Sequence, residues 1–392
     1  MSSIYIPVRI EYGTGSSLKV GTEFKTFNCT NVLIITDQGI VSSGLLDKIT
    51  ESLDNKNISN IIYDQVKADP DEECVTNAQN LFIEKNCDGI LAVGGGSSID
   101  CAKGAALLAT NPEPLMSYAG PDKVKNQLPP LIAIPTTCGT GSEVTNVTVI
   151  TDENHFKSPF ISTLLIPKVA ILDPDLLNTL PPNLVASTGM DALTHAIEAL
   201  TNKVDNWYAN ACAIQAIRDV KKYIRLATDG DRHALGKILY ASTLAGIAFT
   251  LSRLGLVHAM SHPISSYAGI PHGTANAILL PYVMSFNLVG TPNVYAQVAR
   301  ELEVKEQQSS INTAAKDGVK EIINLNGELG IPKSFKELGL KESHIPKMIK
   351  DTFKSGNIAI NPREVTERDV ERIYQLSIQG DSPLLLLEEV EI

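Results

Sequence analysis

Residues 88–100, DGILAVGGGSSID, join a short apolar run to a glycine-rich turn. The apolar part is typical of a buried β-strand, and the three glycines let the backbone turn tightly and approach an anion. Ser97 can cap a following helix, whose first amides bind phosphate. The stretch therefore predicts a strand, a turn and a helix, which is the repeating unit of parallel α/β sheets.

The same alternation continues on both sides of this stretch. Extended runs occur at residues 31–36, 58–63, 131–135, 147–151 and 169–173, and helical patterns occur at residues 44–53 and 72–85. A strand and its helix take roughly thirty residues, which is the length of a βαβ unit. The first half of the chain is therefore predicted to form a mostly parallel sheet with helices on both faces.

Beyond residue 182 the extended runs stop and helical patterns take over. They lie at residues 184–200, 207–226 and 233–250, with further segments out to residue 376. We therefore predict an α/β domain over residues 1–182, followed by an all-helical domain over residues 183–392.

A second glycine-rich stretch, residues 136–143 (TTCGTGSE), follows another predicted strand. Together with the turn at residues 94–96, it places two loops at the carboxyl ends of neighbouring strands, where open α/β sheets bind their ligands. The hydroxyls of Thr136, Thr137 and Thr140 add hydrogen-bond donors. The two loops indicate a pyrophosphate cradle, with a purely structural role for the glycines as the alternative.

Asp37 follows the first of these strands. A carboxylate at that place accepts hydrogen bonds from an adenosine ribose and repels a 2′-phosphate, so it favours NAD over NADP. An ordinary turn residue is the alternative. No G-K-[ST] follows any of the glycines, so the sequence gives little support to nucleotide hydrolysis.

Residues 255–273, GLVHAMSHPISSYAGIPHG, contain three of the seven histidines of the chain. If the first part is helical, His258 and His262 lie one turn apart on one face, and His272 follows after a turn rich in glycine and proline. Upstream, Asp191 and His195 have the same spacing on another predicted helix. One carboxylate and up to three imidazoles suit a divalent transition metal. A surface pair with unrelated core histidines is the alternative.

The composition indicates a soluble globular protein with a small-molecule site. The chain of 392 residues is 43% apolar, with a net charge of −11 and six cysteines without C-x-x-C spacing. Its length suggests two domains, and no long basic run offers a surface for nucleic acid or anionic membrane. Neither a membrane span nor a cleavable leader is evident, so the cytoplasm is the expected location.

Several motifs carry a resemblance to a known family. They are YGTG (12–15), ITD (35–37), GGGSSIDCAKG from Gly94, IPTTCGTGSEVT from Ile134, PPNLVASTGMDALTHAIEAL from Pro181, and GLVHAMSHP with IPHGTANAILLP after Gly255. Over nearly its whole length the chain resembles the iron-containing, or group III, alcohol dehydrogenases, the family of lactaldehyde reductases and 1,3-propanediol dehydrogenases. The long match through MDALTHAIEAL favours this branch over the sugar-alcohol dehydrogenases and dehydroquinate synthases of the same architecture.

The resemblance implies a Rossmann-like domain joined to a helical one, with the active site in the cleft between them, and a homodimer or larger assembly. It implies that Fe²⁺ is held by Asp191, His195, His258 and His272, with His262 near the nicotinamide. The residues implied in NAD binding, with Asp37 added from the argument above, are Gly94, Gly95, Gly96, Ser97, Thr136, Thr137, Thr140, Thr145 and Lys157. Iron is implied by the family alone, because the same ligands accept zinc or another divalent ion.

The predicted reaction is hydride transfer between NAD(H) and a short-chain alcohol or aldehyde, with His262 relaying the proton. By resemblance Phe249 lines the substrate pocket. Arg253 stands where the related pattern has glycine, and within a helix it lies one turn from Phe249. We therefore predict a substrate with an anionic group, such as sulfoacetaldehyde, phosphonoacetaldehyde or succinic semialdehyde.

Three alternatives stay open at this point. One is a general dehydrogenase of small alcohols or diols, such as 1,3-propanediol, lactaldehyde or butanol, with Arg253 in solvent or at a subunit interface. Another is a metal-assisted hydrolase or lyase whose glycine loops are only structural. A non-catalytic binding protein is the third, and an open metal site beside a dinucleotide loop argues against it.

Overall fold

The computed structural model describes residues 4–112, 114–154, 156–304 and 310–388. Within it the chain divides into two compact units, one spanning Tyr5–Leu180 and the other containing Pro181–Ile392. The outermost ends of the predicted domains, residues 1–3 and 389–392, lie outside the described residues.

The first unit contains all the described strands. They are β1 (Arg9–Tyr12), β2 (Asn31–Ile35), β3 (Ser59–Tyr63), β4 (Gly89–Gly94), β5 (Gly120–Pro121), β6 (Leu131–Pro135), β7 (Val147–Thr151), β8 (Lys157–Ile161) and β9 (Val169–Leu172). Six of them form a sheet in the order β1-β9-β6-β4-β2-β3, and every pair in that sheet is parallel. The predicted parallel α/β fold is confirmed.

Helices cover both faces of this sheet. The helices of the unit are α1 (Val20–Thr26), α2 (Gln38–Ser42), α3 (Asp47–Asp54), α4 (Glu72–Glu84) and α5 (Gly96–Thr110). Successive side chains of a strand point to opposite faces. Accordingly, Leu33 belongs to a buried core shared with α4 and α5, while its neighbour Ile34 belongs to another shared with α1 and α3. Burial on both faces explains the unbroken apolar runs of the central strands.

The strand prediction was incomplete in one region. Residues 147–151 form β7, which pairs antiparallel with β8, and β5 adds to β8 in a separate three-stranded sheet. The strand β8 was missed because its sequence, KSPFI, places an exposed proline between buried residues. Proline does not donate to a ladder and is confined to edges and special positions, so such a run gives a weak strand signal.

The second unit is helical throughout its described residues, as predicted. Its helices are α6 (Pro182–Thr201), α7 (Trp207–Thr228), α8 (Arg232–Ser252), α9 (Leu256–Ala268), α10 (His272–Leu288), α11 (Pro292–Glu301), α12 (Ile311–Glu328), α13 (Ile345–Thr352), α14 (Glu367–Gln379) and α15 (Leu385–Glu388).

Helix α8 is long and apolar enough to cross a membrane by length and composition alone. Its most apolar 18-residue stretch has a mean hydropathy of 1.4, and 72% of that stretch is buried inside the protein. The helix packs against α6 and α7. Burial of this kind is what the core helix of a helical unit shows, so α8 is weak evidence for a membrane span.

Candidate metal centre and dinucleotide loops

Four side chains of the helical unit converge on one point. Asp191 and His195 extend from α6, His258 from α9 and His272 from the first residue of α10. One ligand atom from each lies within 4.8 Å of every other. The Asp191 Oδ1 atom is 3.9 Å from His195 Nε2 and 4.0 Å from the Nε2 atoms of His258 and His272. Three of the four residues are buried, and His272 is partly exposed.

The turn before His272 depends on local backbone geometry. Helix α9 ends at Gly269, whose φ of 63° lies in the left-handed region that favours glycine. Pro271 precedes the first residue of α10. At Gly273 an added Cβ would lie 2.6 Å from the carbonyl oxygen of Ser187 on α6. Glycine at this position therefore lets the start of α10 approach α6, and it brings His272 towards Asp191.

The cluster fits a divalent metal ion. In a tetrahedral site with bonds near 2.1 Å, ligand atoms are roughly 3.4 Å apart, so the observed distances need only a small contraction. Asn276 gives a second indication, because its Nδ2 lies 2.7 Å from Asp191 Oδ1, 3.0 Å from His258 Nε2 and 3.1 Å from His272 Nε2. An amide has two hydrogens, so it cannot serve these three acceptors together. A cation satisfies all of them.

Glu198 connects the cluster to the interior of the unit. Its Oε2 atom is 2.6 Å from His258 Nδ1, and its Oε1 accepts a hydrogen bond of 2.6 Å from the Val257 N–H. Burial raises the pKa of Glu198 to about 7, against the opposing effect of backbone hydrogen bonds from Gly255, Val257 and His258. Burial also lowers the pKa of His258 well below its ordinary value, with His195 adding to the shift. His258 is therefore neutral, as a metal ligand must be.

His262 and Phe249 lie at the edge of the cluster. The His262 ring centroid is 5.3 Å from that of His272 and 6.4 Å from that of His258. The Phe249 ring lies 4.7 Å from the His195 ring. Both residues are partly exposed. A substrate that reaches the cluster from solvent therefore has an imidazole and an aromatic ring at hand.

The helical placement predicted for Arg253 is wrong. Helix α8 ends at Ser252, and Arg253 has φ 69° and ψ −172°, a conformation that is essentially restricted to glycine. Its side chain is exposed, and the Nη2 atom lies 2.8 Å from the place that a Cβ on Gly356 would occupy. Arg253 is the C-cap of α8, and its N–H still donates to the Phe249 carbonyl one turn back, but the chain leaves the helical conformation at this residue. A role for Arg253 in reading the substrate stays a prediction.

In the α/β unit, the two glycine-rich loops pack on each other. An added Cβ would lie 3.2 Å from Thr137 Cγ2 at Gly95 and 2.8 Å from Thr140 Cγ2 at Gly96. The backbone N–H of Thr136 donates a 3.0 Å hydrogen bond to the carbonyl of Gly94. Gly94 itself has φ 152°. The structure thus brings together the loop residues that were predicted to bind a dinucleotide.

The predicted capping role of Ser97 is wrong. Helix α5 begins at Gly96, and its N-cap is Gly95, which offers no side-chain hydrogen bond. Ser97 lies inside the first turn, where its Oγ accepts a hydrogen bond of 3.3 Å from the Asp69 N–H. Since no side chain caps this end of the helix, its backbone N–H groups are available to donate hydrogen bonds to an anionic ligand. Lys157, from β8, is tied to the same place by its Nζ, 2.7 Å from Asp69 Oδ1.

Asp37 caps a helix and lies beside the glycine loop, and its role in ribose binding stays a prediction. Its Oδ1 accepts a hydrogen bond of 3.0 Å from the Ile40 N–H and so caps α2. Its Oδ2 faces the glycine loop, 3.5 Å from Ser98 Oγ. One carboxylate oxygen is thus committed to the fold and the other lies beside the loop.

A buried lysine, Lys103, donates hydrogen bonds to Thr145. The Lys103 Nζ donates to the Thr145 carbonyl at 2.8 Å, to Thr145 Oγ1 at 2.9 Å and to the Val147 carbonyl at 2.8 Å. Burial lowers the pKa of Lys103 to about 8, opposed by the nearby carboxylates of Asp100 and Glu143. The lysine therefore fixes the end of the second loop to helix α5.

Sequence reasoning missed Glu198, Asn276 and Lys103. Helical spacing could have found the first two, because Glu198 lies three residues after His195 and Asn276 lies four residues after His272. Lys103 gives no such signal, since a lysine in a helix is ordinarily exposed.

Comparisons with known proteins cover almost the entire chain. A family model described as "Iron-containing alcohol dehydrogenase" matches residues 7–174, and one described as "Fe-containing alcohol dehydrogenase family, C-terminal" matches residues 185–378. The chain is 37% identical to a 1,3-propanediol dehydrogenase of Citrobacter freundii, over 93% of this chain and 95% of that one. It is 34% identical to a lactaldehyde reductase of Escherichia coli K12, over 93% and 96%. The crystal structure of a sulfoacetaldehyde reductase from Bifidobacterium kashiwanohense with NAD⁺ superposes with a TM-score of 0.87 at 29% identity, covering 97% of this chain and 100% of that one.

Proposed function

The chain belongs to the family of iron-containing alcohol dehydrogenases, which are NAD-dependent and iron-binding, and from that premise we propose where and on what it acts. It is an oxidoreductase of alcohols and aldehydes. In our proposal, the Asp191, His195, His258 and His272 side chains bind the metal, and the substrate is a short-chain alcohol or aldehyde. The observation that carries the proposal is the convergence of their four ligand atoms within 4.8 Å.

In our proposal the residues of the helical unit bind the metal, contact the substrate and transfer the alcohol proton. When bound, a divalent ion supplies Lewis acidity towards the substrate oxygen, and NAD supplies the hydride acceptor. Asp191 contributes the one anionic ligand, and the neutral imidazoles complete the set. Phe249 gives the substrate an apolar surface beside His195. His262 is partly exposed, and an imidazole can both accept and donate a proton, so in our proposal it passes the alcohol proton to solvent.

The residues of the α/β unit hold the dinucleotide. The uncapped amino end of α5 and the glycine loop receive the pyrophosphate, and the threonines of the second loop add donors. Lys157 contributes a positive charge beside the same loop. Asp37 accepts from the adenosine ribose, and its charge disfavours the 2′-phosphate of NADP. We propose residues 1–182 as the cofactor domain and residues 183–392 as the metal domain on this basis.

The identity of the substrate is proposed in two steps. Similarity to a 1,3-propanediol dehydrogenase and a lactaldehyde reductase supports small alcohols, diols and their aldehydes. Similarity to a sulfoacetaldehyde reductase and the exposed guanidinium of Arg253 support a substrate that carries an anionic group. Replacing Arg253 by alanine then lowers kcat/KM for sulfoacetaldehyde relative to propanal by about tenfold, since a charge-assisted hydrogen bond contributes roughly 1.5–3 kcal/mol. If the ratio of kcat/KM for sulfoacetaldehyde to kcat/KM for propanal is unchanged, Arg253 does not bind the substrate, and the enzyme is a general dehydrogenase of small alcohols.

Two further properties belong to the proposal. We place the enzyme in the cytoplasm, because its homologues are soluble cytoplasmic enzymes. We also propose a homodimer or larger homo-oligomer, which the family resemblance favours. Size-exclusion chromatography with light scattering tests the assembly.

The central test joins activity to metal content. Purified protein with NAD and a panel of short alcohols and diols should raise the absorbance at 340 nm, and stripping the metal should abolish that rise. The variant His272→Ala should lose metal and activity together by more than about 100-fold, because even outer-shell partners are worth about 10–100-fold. His233→Ala, an exposed histidine outside the cluster, is the matched control and should keep both. A metal-stripped protein that retains the wild-type rate refutes the proposal, and hydrolysis without a change at 340 nm points to the hydrolase alternative.

A further inference from the structure

Glu198 is a buried acid without an obvious counter-charge. The residue is 4% exposed, and it lies on the same helix as Asp191 and His195. Among the described residues, neither Lys nor Arg forms an ion pair with Glu198 or Asp191, whose only ionisable partners are histidines. Burying a carboxylate is costly unless positive charge compensates it. The contacts of Glu198 with the Val257 N–H and with His258 Nδ1 are therefore the ones that make its burial possible.

The contact with His258 decides which imidazole nitrogen carries the proton. A neutral imidazole has one N–H donor and one acceptor nitrogen. Oε1 of Glu198 accepts the Val257 N–H, and Oε2 lies 2.6 Å from His258 Nδ1. A carboxylate in this position accepts the Nδ1 proton, which leaves the lone pair of Nε2 for the cluster, where that atom is 4.0 Å from Asp191 Oδ1.

The surroundings hold Glu198 in this orientation. A Cβ at Gly255 would lie 2.9 Å from Oε1, so glycine there lets the backbone reach the carboxylate. Glu198 and Gly255 also line one small cavity of about 10 Å³, together with Asn287, Tyr295 and Asn361 among others. That volume is about the space of one water molecule. The carboxylate is thus packed against the Gly255 backbone beside a small cavity.

We propose that Glu198 is a positioning residue, which fixes the metal-binding tautomer of His258 by holding the Nδ1 side of the ring. The inference rests on the proposed metal site.

Substitution by glutamine separates the shape of Glu198 from its charge. An amide has one acceptor oxygen and one NH₂ group, whereas the site needs two acceptors. The NH₂ group faces either the Val257 N–H or His258 Nδ1, and in the second case the ring proton moves to Nε2 and blocks the metal. Glu198→Gln should therefore weaken metal binding although it fills the same volume. Gly255→Ala retains the Glu198 carboxylate but pushes it away from its present position, because the added Cβ would lie 2.9 Å from Oε1.

The experiment measures zinc affinity of the full-length protein by competition with a chromophoric chelator. Glu198→Gln and Glu198→Ala should raise the zinc Kd by about 10–100-fold, the usual effect of losing an outer-shell partner of a ligand histidine. Gly255→Ala should raise it in the same direction. Tyr295→Phe alters the opposite wall of the same cavity and should leave the Kd within about twofold. Long-range ¹H–¹⁵N spectra of metal-stripped protein should show the His258 proton on Nδ1 in wild type and on Nε2 in Glu198→Gln.

The outcomes distinguish this proposal from the one on which it rests. If wild type fails to bind zinc or iron at one ion per chain, the proposed function fails. If wild type binds and the folded Glu198 variants bind as tightly as Tyr295→Phe, only the positioning role is overturned, and Glu198 is then a structural residue. Should Glu198→Ala fail to fold, the glutamine variant and Gly255→Ala decide the question.

Discussion

Gly273 offers a test of how the two ligand-bearing helices are spaced. Replacing it by alanine adds one methyl group, whose carbon would lie 2.6 Å from the carbonyl oxygen and 3.1 Å from the carbonyl carbon of Ser187. Carbon and oxygen rest at roughly 3.3 Å or more, so α10 and α6 must separate by about 0.7 Å. Overpacking of this kind typically costs about 1–3 kcal/mol of folding free energy.

The same separation acts on the metal ligands. His272 immediately precedes Gly273, and Asp191 lies one turn after Ser187, so the two ligands move apart with their helices. The ligand atoms must already close by about 0.5 Å on an ion, and a further separation of about 0.7 Å more than doubles that gap, so it should weaken binding by more than about tenfold. The variant Gly273→Ala should therefore lose stability without metal and should also lose metal affinity.

Two measurements on the same protein check this prediction. Urea unfolding of metal-stripped protein gives the free energy of unfolding, and chelator competition gives the zinc Kd. Gly327→Ala is the matched control, because Gly327 lies in helix α12 with nothing within 4 Å of an added Cβ. That control should raise stability by up to about 0.5–1 kcal/mol and leave the zinc Kd unchanged. If Gly273→Ala matches wild type in both measurements, the contact with Ser187 does not set the ligand spacing.

Three further predictions concern single side chains. Asp37→Gly should reduce the ratio of kcat/KM for NADH to kcat/KM for NADPH. It should lower folding stability by only a few tenths of a kcal/mol, because glycine is a tolerated N-cap residue. Equal kcat/KM values for the two cofactors in wild type would refute the cofactor argument. Arg253→Gly should raise the free energy of unfolding by about 1 kcal/mol. It removes about 1–3 kcal/mol of backbone strain, and the greater entropy of glycine in the unfolded chain costs about 0.5–1 kcal/mol. A lower free energy of unfolding in urea contradicts this prediction. Lys103→Met should destabilise by about 3 kcal/mol through the loss of a buried charged partner. Burial lowers the pKa of Lys103 to about 8, whereas a lysine of the unfolded chain titrates near about 10.4. Between these pH values the unfolded chain binds more protons than the folded one, so the stability of wild type relative to the variant should increase as pH rises. A stability difference that stays constant across this pH range refutes the prediction.

The confirmed parts of the sequence prediction rest on strong local periodicity. Strands β2, β4 and β6 were found because burial on both faces leaves an unbroken apolar run. The four candidate ligands were grouped because spacings of four residues repeat on a helix and because the family motifs match there. Both signals are contained within short stretches, which is why a single sequence discloses them.

The errors and omissions depend on contacts between distant residues. Ser97 was predicted to be the cap, and the cap is instead Gly95, two residues earlier. Arg253 looked helical, yet the chain turns there, and its side chain lies against Gly356, about a hundred positions away. Lys103 is buried because the Thr145 and Val147 carbonyls receive its charge. None of these arrangements has a local sequence pattern, so tertiary structure was required to find them.

The four converging ligands of the helical unit have a consequence for the amount of enzyme in the cell. A ligand that binds only the folded state stabilises it by mass action, by about 2.7 kcal/mol when the free ligand exceeds its Kd a hundredfold. Differences of about 1–2 kcal/mol already change the steady-state level of a protein several-fold, because quality control degrades the unfolded fraction. Metal supply should therefore set how many copies of this enzyme survive as well as how many are active. Starvation for metal would then lower its abundance without any change in transcription.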